Sequence, residues 1–104
     1  MSAYDPDNIF GKILKGEIPN HTVYEEDTTL AFMDVMPQSK GHTLVIPKIG
    51  SRNLVDAEPE TLADLIVKTQ KVARAVLIAT EADGLRLVQF NEAAAGQTVF
   101  HIHV

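Results

Sequence analysis

Two imidazoles close this chain. His101 and His103, one residue apart, end the stretch Asn91-Glu-Ala-Ala-Ala-Gly-Gln-Thr-Val-Phe-His-Ile-His-Val104. Imidazole has an unperturbed pKa of about 6.5, so near pH 7 it is largely neutral and still basic. On residue type alone, three uses of the pair stay open. They could be ordinary histidines on a solvent-facing strand. They could ligate zinc or iron together with a carboxylate. Or a ring nitrogen of one could attack phosphorus while the other, through its ring or backbone, orients it. The turn just before them moves the balance. Asn91, Gln97 and Thr98 supply hydrogen-bond donors, and Gly96 lets backbone N–H groups approach an anion closely. No His/Glu/Asp pattern at a familiar metal spacing supplies further ligands, so turn and histidines together favour phosphorus chemistry.

A strand must position the pair. Side chains alternate faces along an extended chain. Thr98, Phe100, Ile102 and Val104 therefore share one face, suited to a core. Val99, His101 and His103 share the other, which is expected to look into a site, with the imidazoles about 7 Å apart. Upstream, Leu85 to Asn91 alternates as a fourth strand paired with this fifth one. Before it, Pro59 fits the first turn of a long helix reaching about Ala82 and ended by Gly84. Its apolar residues, Leu62, Leu65, Ile66, Val72, Ala73, Val76 and Leu77, follow the 3.6-residue period.

The first half supplies the other elements. Asp7 or Asn8 can cap a short helix carrying Ile9, Phe10, Ile13 and Leu14 on one face, with Gly16 and Pro19 after its end. Thr22–Glu26 and Thr29–Asp34 read as a hairpin turning at Asp27-Thr28. A Pro/Gly-bearing loop, Val35 to Gly41, leads to a third strand that His42 opens and Pro47 closes. The order helix, hairpin, strand, helix, hairpin predicts an α+β fold with an antiparallel sheet.

Composition limits the function classes. With 104 residues, 45% hydrophobic and 22% charged, the chain suits one globular domain with its own core. A net charge of −5, with acids and bases scattered, builds no basic stripe for nucleic acid. There is no cysteine, hence no disulfide, CxxC zinc site or thiol catalysis. No apolar run approaches the roughly 20 residues of a membrane span, and the first residues lack a secretory pattern. A cytoplasmic protein is the default expectation.

Five motifs in order extend the reading. Ile9-Phe-Gly-Lys-Ile13, Gly16-Glu-Ile-Pro19, Ala31-Phe-Met-Asp34, Gly41-His-Thr-Leu-Val-Ile-Pro-Lys48 and Gly96-Gln-Thr-Val-Phe-His-Ile-His-Val104 resemble the histidine triad (HIT) pattern, in its Hint-type branch of nucleoside phosphoramidate hydrolases. The resemblance covers nearly the whole chain. It implies a five-stranded antiparallel sheet with two helices, and a homodimer that joins two sheets into a larger one. It implies hydrolysis of purine nucleoside 5′-phosphoramidates such as adenosine 5′-monophosphoramidate, with no cofactor. By the same resemblance His103 is the nucleophile, His101 fixes its tautomer through its main-chain carbonyl, and His42 supports the pair through hydrogen bonds. Asn91, Gly96, Gln97 and Thr98 fall on the phosphate side, and Asp34 on the ribose hydroxyls. Ile9, Phe10, Ile13, Phe32 and Val35 match the base pocket.

Two departures carry expectations of their own. Some relatives hold a structural zinc partly through a CxxC near the N-terminus. Those positions here are Asn8 and Gly11, and a family histidine after the Ile-Pro-Lys run is Gly50, so no zinc is expected. The pattern also calls for a third histidine directly after Val104, followed by a C-terminal segment. The expectation is a single HIT domain over 1–104 that lacks that segment, the natural protein being longer.

Overall fold

The computed structural model describes residues 3–37 and 39–104. Its two α-helices and its sheet form where the local chemistry directs. Helix α1 runs Ile9–Leu14, and the Asn8 side chain caps it by accepting from the Gly11 amide at 2.9 Å. At its other end the Gly16 amide donates to the Ile13 carbonyl and the Glu17 amide to that of Lys12, closing the helix with a left-handed Gly16. Helix α2, Pro59–Thr80, starts with proline in its first turn and ends one residue before Glu81. Glu81 itself takes the left-handed conformation at φ 55°, so the helix stops ahead of the expected Gly84.

Strands β1 (Thr22–Glu25), β2 (Thr29–Met33) and β3 (Thr43–Pro47) form an antiparallel sheet in sequence order. A register irregularity lies between Thr22 and Tyr24, while β2 and β3 pair without a break from Thr29 opposite Pro47 to Met33 opposite Thr43. Pro47 is tolerated because it sits at the strand's last position, where a missing N–H costs little.

Each face of this sheet packs on its own cluster. On one, Phe10 of α1 meets Leu30, Phe32, Leu44 and Ile46, with Val99 against them. On the other, Ala31 and Val45 meet Leu65 and Val72 of α2 and Ile102. Burying each large apolar side chain contributes roughly 1.5–3 kcal/mol before entropy is counted. The alternation along 98–104 is therefore used on both sides. Val99 joins the α1 cluster and Ile102 the α2 cluster, and the histidine face meets packed structure where a purely site-facing surface was expected.

The sheet departs from the expected five strands. Among the described residues three strands pair, and neither 85–91 nor 98–104 forms a ladder. The last segment does lie beside β3. Val45 and Val104 exchange both backbone hydrogen bonds, at 2.9 and 3.0 Å, and the Ile102 amide donates to the Ser51 carbonyl. That is one antiparallel rung at the edge, with no second rung to extend it. The 84–90 run stands off, with Leu87, Val88 and Phe90 about half exposed. Between it and β3 opens a groove of about 750 Å³, floored by Val72 and Val76 of α2. Alternation reports which side chains share a face, but it does not name the neighbour a strand pairs with. No helix among the described residues is long and apolar enough to cross a membrane.

Candidate active site

His103 lies where the C-terminal segment meets α1, its ring edge-on to Phe10 with centroids 5.0 Å apart. Its Nδ1 is 2.8 Å from the main-chain carbonyl of His101. A carbonyl only accepts, so Nδ1 carries the proton and Nε2 keeps the lone pair. Burial pushes the His103 pKa below its ordinary value. The His101 carbonyl and the Asp34 carboxylate work in the opposite direction, and His42 adds to the lowering. The ring is neutral near pH 7, with Nε2 available as a nucleophile.

His101 is fully buried, and both of its ring nitrogens are occupied. Nε2–H donates to the Pro47 carbonyl at 2.8 Å, which leaves Nδ1 to accept from the Tyr4 hydroxyl at 2.8 Å. Burial lowers its pKa as well, the Pro47 carbonyl opposing and His103 reinforcing. Phe10 stands edge-on to His101 too, with centroids 6.3 Å apart, so this one ring is shared by both imidazoles.

His42 and Asp34 come together because β2 and β3 are in register. The Asp34 amide donates to the His42 carbonyl, and the His42 Nδ1 is 3.5 Å from the Asp34 carboxylate. Gly41, at φ 82°, turns the chain into β3 just before His42, and a Cβ there would crowd Thr80. The other Asp34 oxygen accepts from the Met36 amide. Asp34, His42, Thr98, Gly96 and His103 all border the groove beside β3.

The turn before the histidines is held by a polar clasp. Arg52 grips Glu92 with two hydrogen bonds, at 2.7 and 3.0 Å, and its guanidinium lies 4.1 Å over the Phe100 ring. Those hydrogen bonds, with the charge behind them, hold the Glu92 carboxyl below the usual range against the opposing effect of burial. The Asn53 amide donates to Glu92, and the Leu54 N–H to the Asn91 side chain. Gln97 is buried inside this clasp. Its amide nitrogen donates to the carbonyls of Arg52 and Val99, and its oxygen accepts from the Glu92 N–H. The N–H groups of Gly96 and Gln97 are spent on Ala93 and Glu92. Among the described residues, Thr98 alone of the four phosphate-side positions has neither backbone N–H nor side chain hydrogen-bonded.

The apolar positions divide. Phe10 and Phe32 are buried edge-on to each other at 5.4 Å, and Ile13 packs against them. Ile9 and Val35 are exposed. Asn8, Gly11 and Gly50 provide no metal ligand here: Asn8 caps α1, and Gly11 lies against the Pro6 carbonyl. Among the described residues no three His, Cys, Asp or Glu side chains cluster as a metal site. Sequence reading missed Tyr4, Arg52 and Glu92. Tyr4 meets His101 across 97 positions and Arg52 meets Glu92 across 40, and no local spacing signals either contact.

A HIT domain family model matches residues 15–104. Adenylylsulfatase HINT3 of Arabidopsis thaliana is 38% identical over 103 residues, covering 99% of this chain and 52% of that protein, so the chain spans about half its length. The crystal structure of a Hit-like protein involved in cell-cycle regulation from Bartonella henselae superimposes with a TM-score of 0.94 at 58% identity, over 97% of this chain and 80% of that one. A zinc-bound histidine triad family protein from Mycobacterium smegmatis gives 0.88 at 40% identity, over 93% and 70%.

Proposed function

The chain belongs to the HIT domain family, and on that premise we propose that it hydrolyses purine nucleoside 5′-phosphoramidates, of the adenosine 5′-monophosphoramidase type, with His103 as nucleophile. The observation that carries this reading is the His103 Nδ1–H held on the His101 carbonyl, which leaves Nε2 unprotonated. Nε2 attacks the α-phosphorus, a P–N bond to histidine forms, and the P–N bond to the amine breaks as the amine takes up a proton. Water then attacks the same phosphorus, releases the nucleoside monophosphate and returns the electron pair to Nε2. Thr98 donates to the phosphate oxygens as charge grows there. Asp34 accepts from the ribose hydroxyls, and the base lies against Ile9, Ile13 and Val35 over the rings of Phe10 and Phe32. His42 and His101 support the nucleophile, and Asn91, Gly96 and Gln97 shape the phosphate side, the last from within the clasp. The working unit is a homodimer.

The name of the Arabidopsis relative favours a second reading, adenylyl sulfate with sulfate as leaving group, through the same covalent step. Competition among adenosine phosphoramidate, adenylyl sulfate and a diadenosine polyphosphate ranks the leaving groups. Acid-free quenching followed by peptide mass analysis tests the shared step. A nucleotidyl group on the His103 peptide is the expected result, and product formation without any adduct on that peptide would sink the mechanism.

A further inference from the structure

Tyr4 lies 97 positions from His101 in the chain, yet its hydroxyl is 2.8 Å from the His101 Nδ1. The two rings meet edge-on with centroids 5.5 Å apart. His101 is thus held at both nitrogens, by Tyr4 on one side and the Pro47 carbonyl on the other. What makes room for Tyr4 is Gly50. A Cβ built at Gly50 would overlap the far end of the phenol ring, hydroxyl included. Any side chain at position 50 therefore competes with the Tyr4 hydroxyl for the space beside His101.

We propose that Tyr4 is a positioning residue of the active site: its hydroxyl pins the His101 ring, and the pinned His101 presents the carbonyl that orients the His103 nucleophile. This rests on the reading of His103 given above. Among the described residues the His101 carbonyl alone anchors the His103 ring nitrogen Nδ1, and it belongs to the residue whose ring Tyr4 holds. A His101 ring released from Tyr4 has an unpaired buried nitrogen, which costs free energy until the ring or the backbone moves. Such a movement carries the carbonyl with it. Misplacing a reacting group by about 1 Å can cost about 10²-fold in turnover, so a smaller shift costs less.

The test uses the full chain with two substitutions. Tyr4→Phe removes only the hydroxyl; Gly50→Ala keeps the hydroxyl and displaces it. The first readout is the ¹⁵N spectrum of the His101 ring, which needs no substrate. In both variants the Nδ1 resonance is expected to move downfield as its hydrogen bond is lost, with Nε2 still protonated. The second readout is steady-state kinetics with adenosine phosphoramidate, in which kcat falls about tenfold and KM changes little. An unchanged Nδ1 resonance in Tyr4→Phe overturns the proposal. So does a shifted resonance with wild-type kcat, since Tyr4 would then hold the ring without serving the reaction. A shifted resonance in a protein whose wild type turns over no nucleotidyl substrate leaves the Tyr4–His101 bond standing and removes the functional reading instead.

Discussion

His103 and His101 are adjacent on one face, yet the structure gives them opposite tasks. One imidazole spends only Nδ1 on the protein and keeps the lone pair on Nε2; the other spends both nitrogens. His103→Ala is expected to remove the chemical step, lowering kcat by at least about 10³-fold, while AMP still binds within a few-fold of wild type. Isothermal titration beside the rate assay checks both halves, and near wild-type turnover would reassign the nucleophile. The pH profile follows from the lowered His103 pKa. On the proposed mechanism the reactive form is the neutral one, so the acid limb of kcat/KM should fall with a midpoint below the ordinary 6.5 of histidine. A midpoint above 6.5 would mean that Asp34, not burial, governs the ring. The placing of both imidazoles on one face, which in the structure meets Phe10, was legible in the sequence because residue type and alternation are local. Tyr4 was not, because its role exists only once a glycine 46 positions later leaves a hollow for it.

At the scale of elements, β2 and β3 place Asp34 against His42; the strands were legible in the sequence, but this contact was not, because alternation does not name the partner across a ladder. The Arg52–Glu92 clasp was not foreseeable, since it joins a connector to a turn 40 residues on. Glu92 sits at φ 76°, an unusual conformation for a residue with a side chain, held by its bonds to Arg52, Asn53 and the Gln97 oxygen. Glu92→Gln keeps the shape and loses the charge. The expected result is a several-fold rise in KM, as the 91–98 turn loosens around the phosphate, with a smaller loss of kcat; a KM that does not move would detach the clasp from substrate binding. Helix α1 offers a simpler check. Asn8→Ala removes the cap on Gly11 and should lower stability by about 1 kcal/mol in urea denaturation, and no loss would show that the cap carries nothing.

For the whole molecule, the two lowered histidines set a linkage with a definite sign. Their folded pKa values lie below those of the unfolded chain, so the unfolded chain binds more protons in that window. Their stabilising contribution is complete above about pH 6.5 and fades as the pH falls through the depressed folded values. Urea midpoints should therefore drop between pH 7.5 and 5, and a flat profile would contradict the burial assigned to both rings. Sedimentation of the purified chain checks the proposed homodimer, for which a monomer at micromolar concentration would be the opposing result. The expectation of five strands failed on pairing, not on pattern. The alternating 85–91 and 98–104 runs are where the sequence puts them, but a run becomes a strand only when a neighbour answers its backbone.

The Val45–Val104 rung has a consequence for how the sheet breathes. Hydrogen bonding alternates along an antiparallel strand, so Leu44 and Ile46 turn their amides inward to β2, while Thr43 turns its own to the same side as Val45. In heavy water the β3 protons should therefore leave on distinct clocks: Thr43 within the first moments, Val45 later, and Leu44 and Ile46 last, only when β2 and β3 come apart.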